Sequence, residues 1–411
     1  MAHDRDRPRA YDVVLGNQTP TPVGAAVLGG IAGVKRRFAS ADIVQRLAAL
    51  QETTKYGQAG LELLFSALMD KSWQVRQTAY LLVQDCEKET LQRVLQEHNP
   101  YQLFGCLYRY YTPNFTTYAL TVSPDGQNIV SGGGDKIITV RSLYTGRIVR
   151  TLSGHTDGIK SIAISSSGQT IVSCCCDNTV KVWQLQNPAN NGGNLAQRKS
   201  LDKALLYTLF PHTEAVNCVA ITPNGKTLAT ASEDRTIKLW DLRTKGLIST
   251  FAGHTGAVKS IAISQDGKIL ASGSADSTIK LWNLETGELL HTLIGHSDGV
   301  KCVAISPDSK ILISGSQDKT IKLWNLQTGK FLRTIIGHWN EVNNIAIARD
   351  GYTFASCSRD DTIRLWHLRT GTQLHMLEGH LNDVVAVAIT PDAGKIVSSS
   401  KDGTIRVWGV R

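Results

Sequence analysis

Gly253-His254, Val258-Lys259-Ser260-Ile261-Ala262-Ile263-Ser264, Ile269-Leu270-Ala271-Ser272, Asp276 and Thr278-Ile279-Lys280-Leu281-Trp282 follow one another in a single short stretch of this 411-residue chain. The first run alternates apolar and polar side chains as a half-buried strand does, and Gln265-Asp266-Gly267-Lys268 and Ala275-Asp276-Ser277 are turns. Glu285-Thr286-Gly287-Glu288 then leads into Leu289-Leu290-His291-Thr292-Leu293, so one unit holds four antiparallel strands. The unit recurs. Tryptophans stand at 183, 240, 282, 324, 366 and 408, at one step of 57 and four of 42. His155, His212, His254, His296, His338 and His380 precede Asp177, Asp234, Asp276, Asp318, Asp360 and Asp402 by one constant interval. The long step marks an insertion within about residues 186–204, whose Asn- and Gly-rich composition reads as a flexible loop.

A period of this length, with Gly-His at one end and a Trp-Asp pair at the other, is the signature of a propeller blade. Residues 103–411 resemble the WD40-repeat family, although Trp240-Asp241 is the one literal pair and Gln184, Asn283, Asn325, His367 or Gly409 holds the second place elsewhere. One further unit lies upstream. Ser123-Pro124-Asp125-Gly126 aligns with Ser165-Ser166-Ser167-Gly168 and Asp135 with Asp177, while Thr112-Pro113 and Arg141 replace Gly-His and Trp. The expected fold is therefore an all-β seven-bladed propeller whose last blade takes its fourth strand from residues 106–111.

The resemblance also implies a hydrogen-bonded relay inside each blade. Its members are His155, Ser173, Asp177 and Trp183; His212, Thr230, Asp234 and Trp240; His254, Ser272, Asp276 and Trp282; His296, Ser314, Asp318 and Trp324; His338, Ser356, Asp360 and Trp366; His380, Ser398, Asp402 and Trp408. A single Ser, His and Asp set could signal a hydrolase. Six copies signal architecture, because catalysis needs one site. No phosphate-binding loop, nucleophile elbow or metal-binding His pair occurs, and neither a cofactor nor a metal is expected.

The first hundred residues differ. Residues 1–38 read as extended or loosely ordered, and residues 39–100 as a small α-helical domain with Ser40 and Ser72 at helix starts. The apolar runs are Ile43, Leu47, Leu50; Leu61, Leu64, Phe65, Leu68; Val75, Ala79, Leu82; and Leu91, Val94, Leu95. The segment around Trp73-Gln74-Val75-Arg76 resembles a HEAT-type repeat. With no apolar run long enough to cross a bilayer and no signal peptide, the chain is expected to be cytoplasmic, without a membrane span and monomeric on its own. The eight cysteines show no metal-ligand spacing, and Cys174-Cys175-Cys176 reads as reduced thiols filling small positions. The propeller carries +8 of the net charge of +9, which favours acidic partners.

The functional expectation is a protein-binding scaffold that uses the top face, the face carrying the Gly-His loops. By the resemblance, its candidate contacts are Lys160, Asn217, Lys259, Lys301, Asn343 and Val385 on the inner strands. A second set just before the relay aspartates is Gly134, Cys176, Glu233, Ala275, Gln317, Arg359 and Lys401. The lysines with Arg359 and Lys401 form a positive funnel suited to acidic or phosphorylated segments. Trp339 joins them, standing where other repeats have Thr156, Thr213, Thr255, Ser297 or Leu381. The alternative is a nucleic-acid-associated propeller using its basic face.

Overall fold

The computed structural model describes residues 30–68, 70, 72–84, 104–112, 116–185 and 204–410. The chain divides into two compact units, residues 1–105 with 410–411, and residues 106–409.

The first unit contains α1 (Gly30–Phe38), α2 (Ile43–Thr53), α3 (Gly57–Ala67) and α4 (Trp73–Gln84). Residues 30–38 are thus helical rather than extended. Val34 of α1 is fully buried, and Lys35, Arg36 and Arg37 occupy its last turn, where the helix dipole favours cations. Asp42, not Ser40, caps α2: its carboxylate accepts the Val44 N–H at 3.0 Å, and the Ser40 hydroxyl accepts the Asp42 N–H at 3.1 Å. Ser72 directly precedes α4, and its hydroxyl donates to Gln74 Oε1 at 2.6 Å. A Cβ on Gly60 would lie 1.9 Å from the Thr53 carbonyl oxygen, so only glycine lets α3 pack this closely on the end of α2. Val34, Ala49, Leu50, Leu64, Val75 and Ala79 are fully buried, whereas Ile43 is exposed. The run around Leu91, Val94 and Leu95 and the insertion at 186–203 lie outside the described residues.

The second unit is a seven-bladed propeller of four-stranded antiparallel sheets. The first strands of the blades, Thr117–Val122, Ile159–Ile164, Val216–Ile221, Val258–Ile263, Val300–Ile305, Val342–Ile347 and Val384–Ile389, touch one another in order, and the last touches the first. They therefore surround the axis. Phe104–Tyr111 pairs with Thr404–Val410 and supplies the outer strand of the seventh blade, leaving no gap in the ring. Between blades the core is aliphatic and aromatic: Trp324 packs with Leu281, Leu293, Val300 and Val303 across the fourth and fifth blades.

Two backbone devices shape the top face. The residue after each relay aspartate is left-handed, with φ of 61° at Asn178, 69° at Arg235, 66° at Ser277, 69° at Lys319, 65° at Asp361 and 75° at Gly403. Each inner strand also carries a register shift that leaves one residue unpaired. These residues are Tyr118, Lys160, Asn217, Lys259, Lys301, Asn343 and Val385. A bulge re-aims its extra side chain, and here that side chain faces the mouth of the ring.

Candidate functional site

The relay residues sit within hydrogen-bonding distance in six blades. In the fourth, His254 Nδ1 lies 2.8 Å from Asp276 Oδ2, His254 Nε2 lies 2.8 Å from Ser272 Oγ, and Trp282 Nε1–H donates to that same oxygen at 2.9 Å. The proton order follows from chemistry. An ionised carboxylate can only accept, so Asp276 takes the proton of Nδ1 and leaves Nε2 as an acceptor; the serine hydroxyl therefore donates to Nε2 while its oxygen accepts the indole N–H. The imidazole then carries its proton on Nδ1 and donates to the carboxylate. The other five blades repeat the contacts, with a longer His155–Asp177 distance of 3.1 Å. Both ring nitrogens of every relay histidine are occupied, so none is free to act as a base.

One relay member escaped the sequence reading. Thr179, Thr236, Thr278, Thr320, Thr362 and Thr404, two residues after each aspartate, donate a hydroxyl to its Oδ1 at 2.6–2.7 Å. The next backbone N–H after each histidine donates to Oδ2, as from Thr255 at 2.9 Å. Burial opposes charge on Asp276, but the bonds from Thr278 and His254 outweigh it and hold the carboxyl well below its usual range. Asp402 is likewise held down, to about 2. Burial lowers the pKa of His155, His212, His254, His338 and His380, favouring the neutral ring. The signal was present in the sequence as an unbroken threonine column, absent only where Ile137 follows Asp135 in blade 1.

Blade 2 differs at Cys175, where the other relay blades have Ser232, Ser274, Ser316, Ser358 and Ser400. Among the described residues, a ring nitrogen of His155, the Cys175 sulfur and an Asp177 oxygen lie within 4.8 Å of one another. The thiol takes over the serine's contacts, donating to the Asp157 carbonyl and accepting the Asp177 N–H. Burial pushes it up to about 12, the behaviour of an inert buried thiol.

Around the axis lies a cavity of about 440 Å³ lined from all seven blades, and Lys160, Asn217, Lys259, Lys301, Asn343, Val385, Arg359 and Lys401 all border it. The expected positive funnel is largely neutralised. Lys259 pairs with Glu233 at 2.7 Å, Lys301 with Glu341 at 2.7 Å, and Lys401 with Asp383 at 2.7 Å. Arg359 reaches Glu341 at 3.3 Å and Asp383 at 3.5 Å. The Asn217 and Asn343 amides donate to the carbonyls of Val258 and Val384, tying each blade to the next. Sequence reading located the cations and passed over Glu341 and Asp383, which stand far along the chain from Lys301 and Arg359 and meet them only in the ring. Tyr118, the bulge residue of the degenerate blade, stands out in the sequence with Tyr108, Tyr110, Tyr111 and Phe115 as an aromatic cluster that repacks blade 1, with a binding patch as the second choice; it also borders the cavity.

Trp339 does not border this cavity. The residue is 71% exposed, its backbone N–H donates to Asp360 Oδ2 at 3.0 Å, and its ring covers Arg364, with the guanidinium carbon 5.5 Å from the centroid. Arg364 is buried and donates to Gln373 Oε1 at 2.8 Å. One indole face is therefore packed while the rest of the side chain meets solvent.

Comparison with known proteins agrees with this architecture. Residues 105–141, 146–184, 203–241, 245–283, 287–325, 329–367 and 371–409 each match the WD40 description "WD domain, G-beta repeat". The chain is 29% identical over 147 residues to Protein groucho of Drosophila melanogaster, covering 35% of this chain and 18% of that protein. It is 30% identical over 122 residues to Transducin-like enhancer protein 2 of Mus musculus, covering 29% and 14%. With Cell division control protein 4 of Saccharomyces cerevisiae it shares 32% over 126 residues, covering 29% and 16%. The matched region spans less than a fifth of each of these relatives. Among the described residues no helix is long and apolar enough to cross a membrane. Seven successive matches, on seven observed blades, make this chain a member of the WD40-repeat family.

Proposed function

We propose that the protein is a non-catalytic scaffold that binds other proteins on the propeller face carrying the Gly-His loops. The observation that carries this reading is the cavity ringed by polar side chains from every blade, flanked on the same face by the exposed indole of Trp339. A rigid ring with a polar mouth and a rim aromatic is the composition of a recognition surface. The Ser, His and Asp groups that chemistry would need are bonded into the blades. In this reading the protein is cytoplasmic, monomeric alone, and uses its HEAT-like helical unit as a second docking module. A nucleic-acid partner fits less well, because the cations of the mouth are mostly paired with carboxylates.

The test is a pull-down from native extract comparing the wild type with a Trp339→Ala, Lys259→Glu, Lys301→Glu variant. A partner lost only in the variant supports the reading. One retained by the variant but lost on deleting residues 1–100 moves the function to the helical unit. A captured nucleic acid whose binding falls steeply with salt replaces the protein scaffold with the alternative.

A further inference from the structure

The seven bulge positions around the mouth are not equivalent in charge. Immediately before the inner strands the chain has Gly158, Ala215, Ala257, Gly299, Glu341 and Asp383 in blades 2 to 7. The two acids fall in blades 6 and 7, opposite Arg359 and Lys401. The result is a continuous chain, Lys301–Glu341–Arg359–Asp383–Lys401, with contacts of 2.7, 3.3, 3.5 and 2.7 Å. Lys259 is held separately by Glu233. Among the described residues, only Lys160 of these five cations has no carboxylate within ion-pair distance. Its ammonium stands 5.2 Å from the ring centroid of Tyr118. The places that supply the carboxylates of Lys259 and Lys301, before the aspartate of the preceding blade and before the inner strand of the following one, hold Gly134 and Ala215 around Lys160, and neither carries a charge. The atoms nearest a Cβ on Gly158 would be Tyr118 Cε2 at 3.8 Å, the Gly133 carbonyl oxygen at 3.9 Å and Gly134 Cα at 3.9 Å, all at ordinary contact distance.

We propose that a carboxylate side chain of a partner protein docks on Lys160 beside Tyr118, making the blade 1–2 side of the mouth the point where this scaffold reads acidic sequence. The inference rests on the top-face reading above and narrows it to one subsite. An incoming anion at Lys301, Arg359 or Lys401 must displace a resident carboxylate and then face it at close range, so the exchange gains little. At Lys160 it displaces only the ring of Tyr118, a weaker partner than an anion. The same argument selects a carboxylate over a phosphate. Phosphate dianions favour the bidentate fork of arginine, and Arg359 is already engaged by two carboxylates.

The experiment is fluorescence anisotropy on the full chain with labelled octaglutamate, and labelled octaglutamine as the neutral probe. Wild type is expected to bind octaglutamate and not octaglutamine. Lys160→Gln should weaken binding about fivefold or more, and Lys160→Arg should restore it. Lys319→Gln removes the same formal charge from the same face, outside the cavity, and should cost about twofold or less. Each variant should melt with the wild type, since these side chains are partly exposed. Equal losses from Lys160→Gln and Lys319→Gln overturn the subsite, because they report a diffuse field. So does a phosphoserine octapeptide that binds more tightly and depends on Arg359. A captured protein partner that needs Trp339 but not Lys160 leaves the scaffold standing and overturns this inference alone.

Discussion

Ser272 Oγ is the hinge of its relay, accepting from the Trp282 indole while giving its proton to His254. Removing it leaves a buried N–H and a buried ring nitrogen without partners. Ser272→Ala is therefore expected to cost about 2 kcal/mol or more, read as a drop in the denaturant midpoint. The chain contains its own control. Ser131 occupies the same column in blade 1, is 5% exposed, and has neither the histidine nor the tryptophan in its relay. Ser131→Ala should cost less than about 1 kcal/mol. Equal losses would mean that the hydroxyl matters for packing rather than for the relay. Trp339 is the opposite kind of residue, mostly in water, and Trp339→Ala should reduce partner capture while shifting the melting temperature by no more than about 2 °C. A drop of many degrees would show that its cover over Arg364 is structural and remove it from the proposed surface.

Blade 1 keeps its sheet without the relay, and its substitutes are local. Arg141, in the tryptophan place, donates to the Gly146 carbonyl at 2.7 Å and lies 5.5 Å from the Tyr110 ring centroid across the closing seam. Tyr110 in turn donates to the Leu143 carbonyl at 2.7 Å. At the end of this blade's second strand, a Cβ on Gly133 would fall 2.0 Å from the Thr116 carbonyl oxygen. Every other blade has Ser or Cys at this column. Restoring the common residue with Gly133→Ser should thus destabilise the protein, by about 3 kcal/mol, because backbone rather than a movable side chain is in the way. Thermal unfolding of the variant checks this. An unchanged or raised midpoint would mean that the backbone at Thr116 gives way freely.

Across the whole ring the relays couple stability to pH in one direction. The five histidines with lowered pKa remain neutral in the folded chain, while in the unfolded chain they take a proton near pH 6.5. Their contribution is complete above that value and is lost as pH falls through it. The relay aspartates, also lowered, contribute above their unfolded value near 3.9 and lose that contribution toward their folded values, about 2 for Asp402. Asp350 and Asp361, which burial pushes up, act in the opposite sense but are two against six. The melting temperature should be level from pH 8 to 7, fall below about 6.5 and fall further below about 4. Scanning calorimetry across this range is the measurement. A midpoint that holds or rises from pH 7 to 5 would contradict the assigned neutral imidazoles.

The seven blades, the columns of His, Ser or Thr, Asp and Trp, and the degeneracy of blade 1 could be read from sequence alone. Each depends on short-range strand chemistry repeated at a fixed period, so one dimension contains it. The threonine after each relay aspartate was equally legible and was passed over. Helix α1 was passed over although Ile31, Val34 and Phe38 stand at helical spacing, because its nine residues include two glycines; burial of Val34 with Ala49 and Leu63 decides it. The charge of the mouth was beyond any sequence reading of its columns. A lysine's formal charge is written in the chain, but its available charge depends on which carboxylates the ring brings within reach. Glu341 comes to Lys301 from the next blade and Asp383 to Arg359 from the one after, while nothing anionic comes to Lys160 among the described residues. Closure of the ring makes those pairs, since Coulomb attraction between side chains follows distance in space and not along the chain.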